Sequence, residues 1–173
     1  MTKKIVAVRI IFLLLIGSLI AGCGYTLVPR PPEKVHYSIQ VKKFSINNFQ
    51  EGKELVFTNL LIEEILADGR LMINNEEPDL ILSGENFRLQ HEVISPTGPF
   101  AGEYQVRVAT WLKLQDAKEN KILWEGEMEA TDSYLLASGN TSAELRQLKQ
   151  EAELTAMELL TDKVASKIVG MIF

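Results

Sequence analysis

The 173-residue sequence predicts an α+β domain, a two-layer sandwich with two helices packed on one face of a four-stranded mixed sheet. Three observations carry this expectation. From Tyr104 to Gln115 the chain alternates, with Tyr104, Val106, Val108, Thr110, Leu112 and Leu114 on one face and Gln105, Arg107, Ala109, Trp111, Lys113 and Gln115 on the other, and a period of two sustained that long is a strand. Two other stretches, Leu55 to Ala67 and Thr141 to Val169, repeat their apolar residues at helical spacing. The remaining strand segments are also apolar on one face only, so a helical layer must cover that face.

In chain order, Lys3, Lys4 and Arg9 precede an uncharged run from Ile10 to Gly22, which closes on the small residues Ala21 and Gly22 before Cys23, the only cysteine. That layout predicts a secretory signal over residues 1–22, cut before Cys23. A retained membrane helix is the competing reading, but the run falls short of the ~20 residues a span needs and Arg9 interrupts its start. The small-residue ending followed at once by cysteine resembles the lipobox of bacterial lipoproteins, which implies acyl chains on the Cys23 sulfur and amino group. Two or more chains anchor stably, since each buried methylene contributes about 0.8 kcal/mol. Acylation of Cys23 leaves no thiol for a disulfide.

Residues 23–36 form an acylated N-terminus and tether, in which Pro29, Pro31 and Pro32 favour a stiff, extended chain. Gly24 stands where lipoproteins retained in the inner membrane commonly carry Asp, so the resemblance to that sorting pattern implies the outer membrane. Residues 37–173 form one domain. The leader carries three basic groups and no acidic ones, so the rest of the chain has a net charge of −8 against −5 overall, which argues against a nucleic-acid partner.

Within the domain, Ile39 and Val41 alternate with Ser38, Gln40 and Lys42 as a half-buried strand from Tyr37 to Phe44. Phe44 has the other parity and requires a bulge near Lys43 if it is buried. Asn47-Asn48 turns the chain into the first helix, where Phe57, Leu60, Leu61, Ile62, Ile65 and Leu66 make a wide stripe and Gly69 ends it. Leu71-Met72-Ile73 is a short strand, parallel to the first because a helix separates them.

The strand from Asp79 to Ser95 switches its inward parity from even to odd around Gly84, which predicts a bulge there. Ser95 to Gly102 is rich in breakers and reads as a loop. After the long strand, Asp116 to Asn120 turns the chain, and Ile122, Trp124, Gly126, Met128 and Ala130 form the inward face of its hairpin partner. Thr141 and Glu144 fit a capping box. From there Leu145, Leu148, Ala152, Ala156, Leu159, Leu160, Val164 and Ile168 hold a helical stripe long enough to cover the hairpin.

Motifs for catalysis are absent. His36 and His91 lie far apart without cysteines or paired carboxylates at ligand spacing, so no metal site and no cofactor are expected. The mature sequence contains neither a G-x-S-x-G elbow nor a phosphate-binding glycine loop. Glu63, Glu64, Glu125, Glu127 and Glu129 fall where solvated faces are expected. Asn140-Thr141-Ser142 matches a glycosylation sequon that a bacterial lipoprotein would not normally use.

Taken together, Cys23-Gly24-Tyr25-x-Leu27, a strand ending near Asn47-Asn48, the helix from Leu55 to Arg70, Asp79-Leu80-Ile81-Leu82-Ser83-Gly84, the long hairpin with Lys121-Ile122-Leu123-Trp124, and Tyr134 before a final long helix resemble the lipopolysaccharide-assembly lipoprotein family, LptE. The order and spacing carry the resemblance, since each motif is short. It implies a non-enzymatic, lipid-anchored protein on the periplasmic side of the outer membrane, which plugs the lumen of the barrel protein LptD and helps deliver lipopolysaccharide to the cell surface. Another envelope lipoprotein of similar fold, such as an activator of a peptidoglycan synthase, would share the tether and sandwich. On the outward sheet face Trp111 stands among Arg107, Lys113 and Arg88, the candidates for contact with barrel or lipid, with Phe100 at the loop tip. Register places Arg107 near Glu129 and Trp111 near Glu125 or Glu127, so exposed cross-strand pairs compete with that role.

Overall fold

The computed structural model describes residues 37–45, 52–98 and 101–173. Cys23, His36 and Phe100 lie outside them. The elements run β1 (Tyr37–Val41), α1 (Lys53–Asp68), β2 (Leu71–Ile73), β3 (Leu80–Gly98), β4 (Ala101–Asp116), β5 (Ile122–Leu136) and α2 (Ser142–Ile172). The sheet order is β2-β1-β3-β4-β5. β1 is parallel to both β2 and β3, and the two long hairpins are antiparallel. The sheet therefore has five strands and not the expected four. The sequence predicts all five segments singly as strands, and the total of four undercounts them; β2 forms where expected and pairs in parallel register with Tyr37, Ser38 and Ile39 on the outer edge of β1.

The bulge expected near Gly84 lies between Glu85 and Arg88, with Asn86 at a left-handed φ of 56°. It turns the inward set from Leu80, Leu82 and Gly84 to Phe87 and Leu89. The extra residue expected near Lys43 is present, since an advance of three residues from Lys42 to Ser45 stands against two from Leu82 to Gly84. β1 stops at Val41, and residues 42–45 run on beside β3 through bonds from Lys42 N to Leu82 O (2.8 Å) and Ser45 N to Gly84 O (3.0 Å), which drops Phe44 into the core. The expected loop from Ser95 to Gly102 is mostly strand, because register shifts at Val93/Ser95 and Pro96/Gly98 absorb the breakers within the ladder.

One corner of the sheet is tied by Asp79. Its Oδ2 accepts from Ser38 N (3.0 Å) and Ser38 Oγ (2.8 Å), and its Oδ1 accepts from Lys118 Nζ (2.7 Å). β1, β3 and the β4–β5 turn meet on this one carboxylate. The Lys118 ammonium first, and the Ser38 donors next, hold its pKa down to about 2 from 3.8. A depressed pKa means that the stabilisation is complete above the ordinary value and drains away as pH falls from about 4 toward 2. Asp79→Ala is expected to lower stability by about 2 kcal/mol at pH 7 and by much less at pH 2.5, as read from chemical denaturation at the two pH values.

α1 ends at Gly69, left-handed at φ 73°, as predicted. α2 begins with a complete capping box: Glu144 N donates to Thr141 Oγ1 (3.2 Å), and Thr141 N donates to a Glu144 carboxylate oxygen (2.7 Å). Both helices lie on the same side of the sheet, and the core between the layers holds Ile39, Phe57, Leu61, Ile65, Leu82, Phe87, Val106, Leu112, Leu160 and Ile168. Four residues expected on buried faces, Leu66, Val93, Ile122 and Leu159, are exposed. Ile122 is exposed because a register shift between Leu114 and Gln115 moves the start of β5 out of phase, and Leu159 lies on the solvent side of α2.

Candidate partner-binding surface

Among the described residues the sheet's other face carries no helix, and the register writes its composition as rows across β3, β4 and β5. Ser83, Lys113 and Glu125 form one row; Glu85, Trp111 and Glu127 the next; then Arg88, Ala109 and Glu129, followed by Gln90, Arg107 and Thr131, and last Glu92, Gln105 and Ser133. The structure thus brings Arg88, Arg107, Trp111 and Lys113 together on one face, as their parity predicts. Trp111 is 44% exposed. Its side chain sits between two carboxylate-bearing neighbours, with no aromatic contact among the described residues.

The cations are largely neutralised. Arg88 pairs with Glu127, and Arg107 stands 3.7 Å from Glu129 Oε2 and 3.9 Å from Glu92 Oε2. These rows hold three cations against five carboxylates, Glu85, Glu92, Glu125, Glu127 and Glu129, so the face is not a basic patch. Exposed pairs of this kind contribute roughly 0.2–1 kcal/mol each and are cheap to exchange for another partner. Ala109 is only 3% exposed although it faces outward, since longer neighbours cover it. The Arg107 Nε is also buried, and has no acceptor among the described residues.

Sequence reasoning passed over Ile94 and Leu135 and counted Val93 as inward, and all three are exposed. Val93 and Ile94 on β3 and Leu135 on β5 lie exposed at the far end of the hairpins, Leu135 at 71%. The extension of β5 past Ala130 to Leu136 would have flagged Leu135, which keeps the outward parity of Glu125 to Ser133. On the inner face, His91 Nε2 is 3.0 Å from Glu153 Oε1, and Lys53 Nζ is 2.5 Å from Glu153 Oε2. Burial pushes the Glu153 carboxyl up, but Lys53 and His91 outweigh it and hold the group below its ordinary value. No cluster of ligands for a metal occurs among the described residues, and no described helix is long and apolar enough to cross a membrane.

A family model described as lipopolysaccharide-assembly, LptE, matches residues 38–169. Among solved structures, a minor lipoprotein from Acinetobacter baumannii is similar at 11% identity and a TM-score of 0.59, over 79% of this chain and 92% of that one. An uncharacterised lipoprotein B from Nitrosomonas europaea aligns at 14% identity and TM-score 0.54, over 79% and 87%. The hypothetical protein CT253 from Chlamydia trachomatis aligns at 10% and 0.51, over 79% and 95%. At these identities the likeness is one of fold. No curated protein matches the chain.

Proposed function

The chain belongs to the lipopolysaccharide-assembly family LptE, and on that premise we propose that it is an outer-membrane lipoprotein, anchored through acylated Cys23 on the periplasmic side, that plugs the LptD barrel and assists delivery of lipopolysaccharide. The family match over nearly all of the folded domain is the observation that carries this reading. The open sheet face supports it. A half-exposed tryptophan beside arginine is the pairing that interfaces favour, and the weak ion pairs around it are readily exchanged for contacts with a barrel wall or with lipid phosphates.

The test is co-purification from detergent of the acylated protein and of two variants, Trp111→Ala and Arg107→Ala, whose melting should match the parent. Recovery of an outer-membrane barrel with the parent, and at least a fivefold lower recovery with Trp111→Ala, is the expected result. Cys23→Ala should lose radioactive palmitate and wash off membranes at high salt. A peptidoglycan synthase in place of the barrel would replace this reading with that of a synthase activator. Full barrel and lipopolysaccharide binding by both variants would reduce the sheet face to solvated surface.

A further inference from the structure

On the opposite side of the molecule, α1 and α2 leave a groove of about 510 Å³ open to solvent, within the ~300–1,000 Å³ range of binding clefts. It is lined by the apolar Leu60 and Leu159 and by four carboxylates, Glu63 and Glu64 on α1 and Glu158 and Asp162 on α2. Among the described residues none of these four carboxylates forms an ion pair, although eight ion pairs occur elsewhere. Leu159 is 44% exposed, and Val56, one helical turn before Leu60 on the same stripe, is 41% exposed.

We propose that this groove docks a cationic amphipathic helix from a protein partner. Charge and shape choose that occupant. An apolar seam flanked on both sides by carboxylates complements a helix with leucines along one stripe and lysines or arginines beside it. The flanking walls are helices whose backbone groups are already bonded internally, so the groove has no open ladder for an added strand. A single metal ion does not fit, since no three carboxylates converge at ligand distance among the described residues; the charges are strung out along the groove. Anionic lipid is repelled by the same carboxylates. The site is separate from the sheet face and does not depend on its role.

The experiment uses the mature acylated protein in phosphatidylcholine nanodiscs, with empty discs as reference. The probe is a labelled Leu/Lys peptide of about 18 residues, long enough to form a helix, and its Leu/Glu isomer is the control. The Lys peptide should bind and the Glu isomer should not. Glu63→Lys combined with Glu158→Lys should weaken binding at least tenfold and Leu159→Ala severalfold, while Glu76→Lys combined with Glu119→Lys, the same charge change away from the groove, should alter it less than twofold. Equal losses in the two charge-reversed proteins would overturn the proposal in favour of attraction by net charge alone. Absence of binding, or indifference to Leu159→Ala, would also overturn it. Self-association of the parent that Glu63→Lys abolishes would assign the groove to a second copy of the chain instead.

Discussion

Gly84→Ala is expected to destabilise the domain by about 3 kcal/mol and to lower its melting temperature by about 10 °C. Gly84 lies in the ladder between Ser45 and Leu112. A methyl group built there overlaps Cδ1 and Cε1 of Phe44 and comes within 2.9 Å of its Cγ. Phe44 cannot simply turn away, because its ring packs edge-on against Phe57 at 5.0 Å, and Phe57 in turn contacts Phe87 at 5.3 Å. All three rings are fully buried. The alanine therefore displaces the aromatic cluster that joins α1 to the sheet. The measurement is a double-mutant cycle: Gly84→Ala and Phe44→Leu should each destabilise, and the pair should cost at least 1 kcal/mol less than the sum. Additive effects would mean that the ring and the glycine are not in conflict.

Leu112→Asp should prevent folding altogether. Leu112 is fully buried in the row Gly84, Leu112, Gly126, where the flanking glycines make room for the Phe44 ring and for Trp124, whose Cζ2 lies 3.2 Å from a Cβ built on Gly126. A carboxylate in that position has no donor to meet it, at a cost of several kcal/mol. Gln115→Asp lies three residues on, on the opposite and partly exposed face, and is expected to change stability by about 0.5 kcal/mol or less. Soluble yield and thermal melting of the two variants measure the difference. Equal behaviour would mean that the sheet has no single buried face.

Legibility in the sequence followed the continuity of the backbone. β4 was readable residue by residue, because its pairing with both neighbours is almost unbroken from Gly102 to Leu114 and an uninterrupted ladder preserves parity. Parity failed where the ladder slips. Ile122 looked inward by counting from Trp124, yet the register shift beside Leu123 separates the two. Phe44 looked out of phase because it has already left the strand, and no local pattern announces that its place is over a glycine forty residues later. The motif Asp79 to Gly84 is thereby explained as packing: its first residue ties the corner, Leu80 and Leu82 fill the core, and its glycine seats a ring. On the outer face, the grouping of Trp111, Arg107, Lys113 and Arg88 and the pairing of Arg107 with Glu129 followed from parity and turn position. The groove between the helices did not, since it depends on which turns of α1 and α2 lie side by side.

β5, fifteen residues long, is the outermost strand on its side of the sheet and, among the described residues, is paired on one edge only. Such an edge is a template for strand addition by another chain. Its protection is built from neighbours. Lys163 reaches down from α2 to donate to the Glu129 carbonyl oxygen (3.1 Å), and Lys167 lies 5.8 Å over the Trp124 ring. Glu125, Glu127 and Glu129 sit at alternate positions along the same strand, so two copies brought edge to edge would set like charges against each other. The exposed edge of β5 is thus guarded against pairing with a second copy of itself.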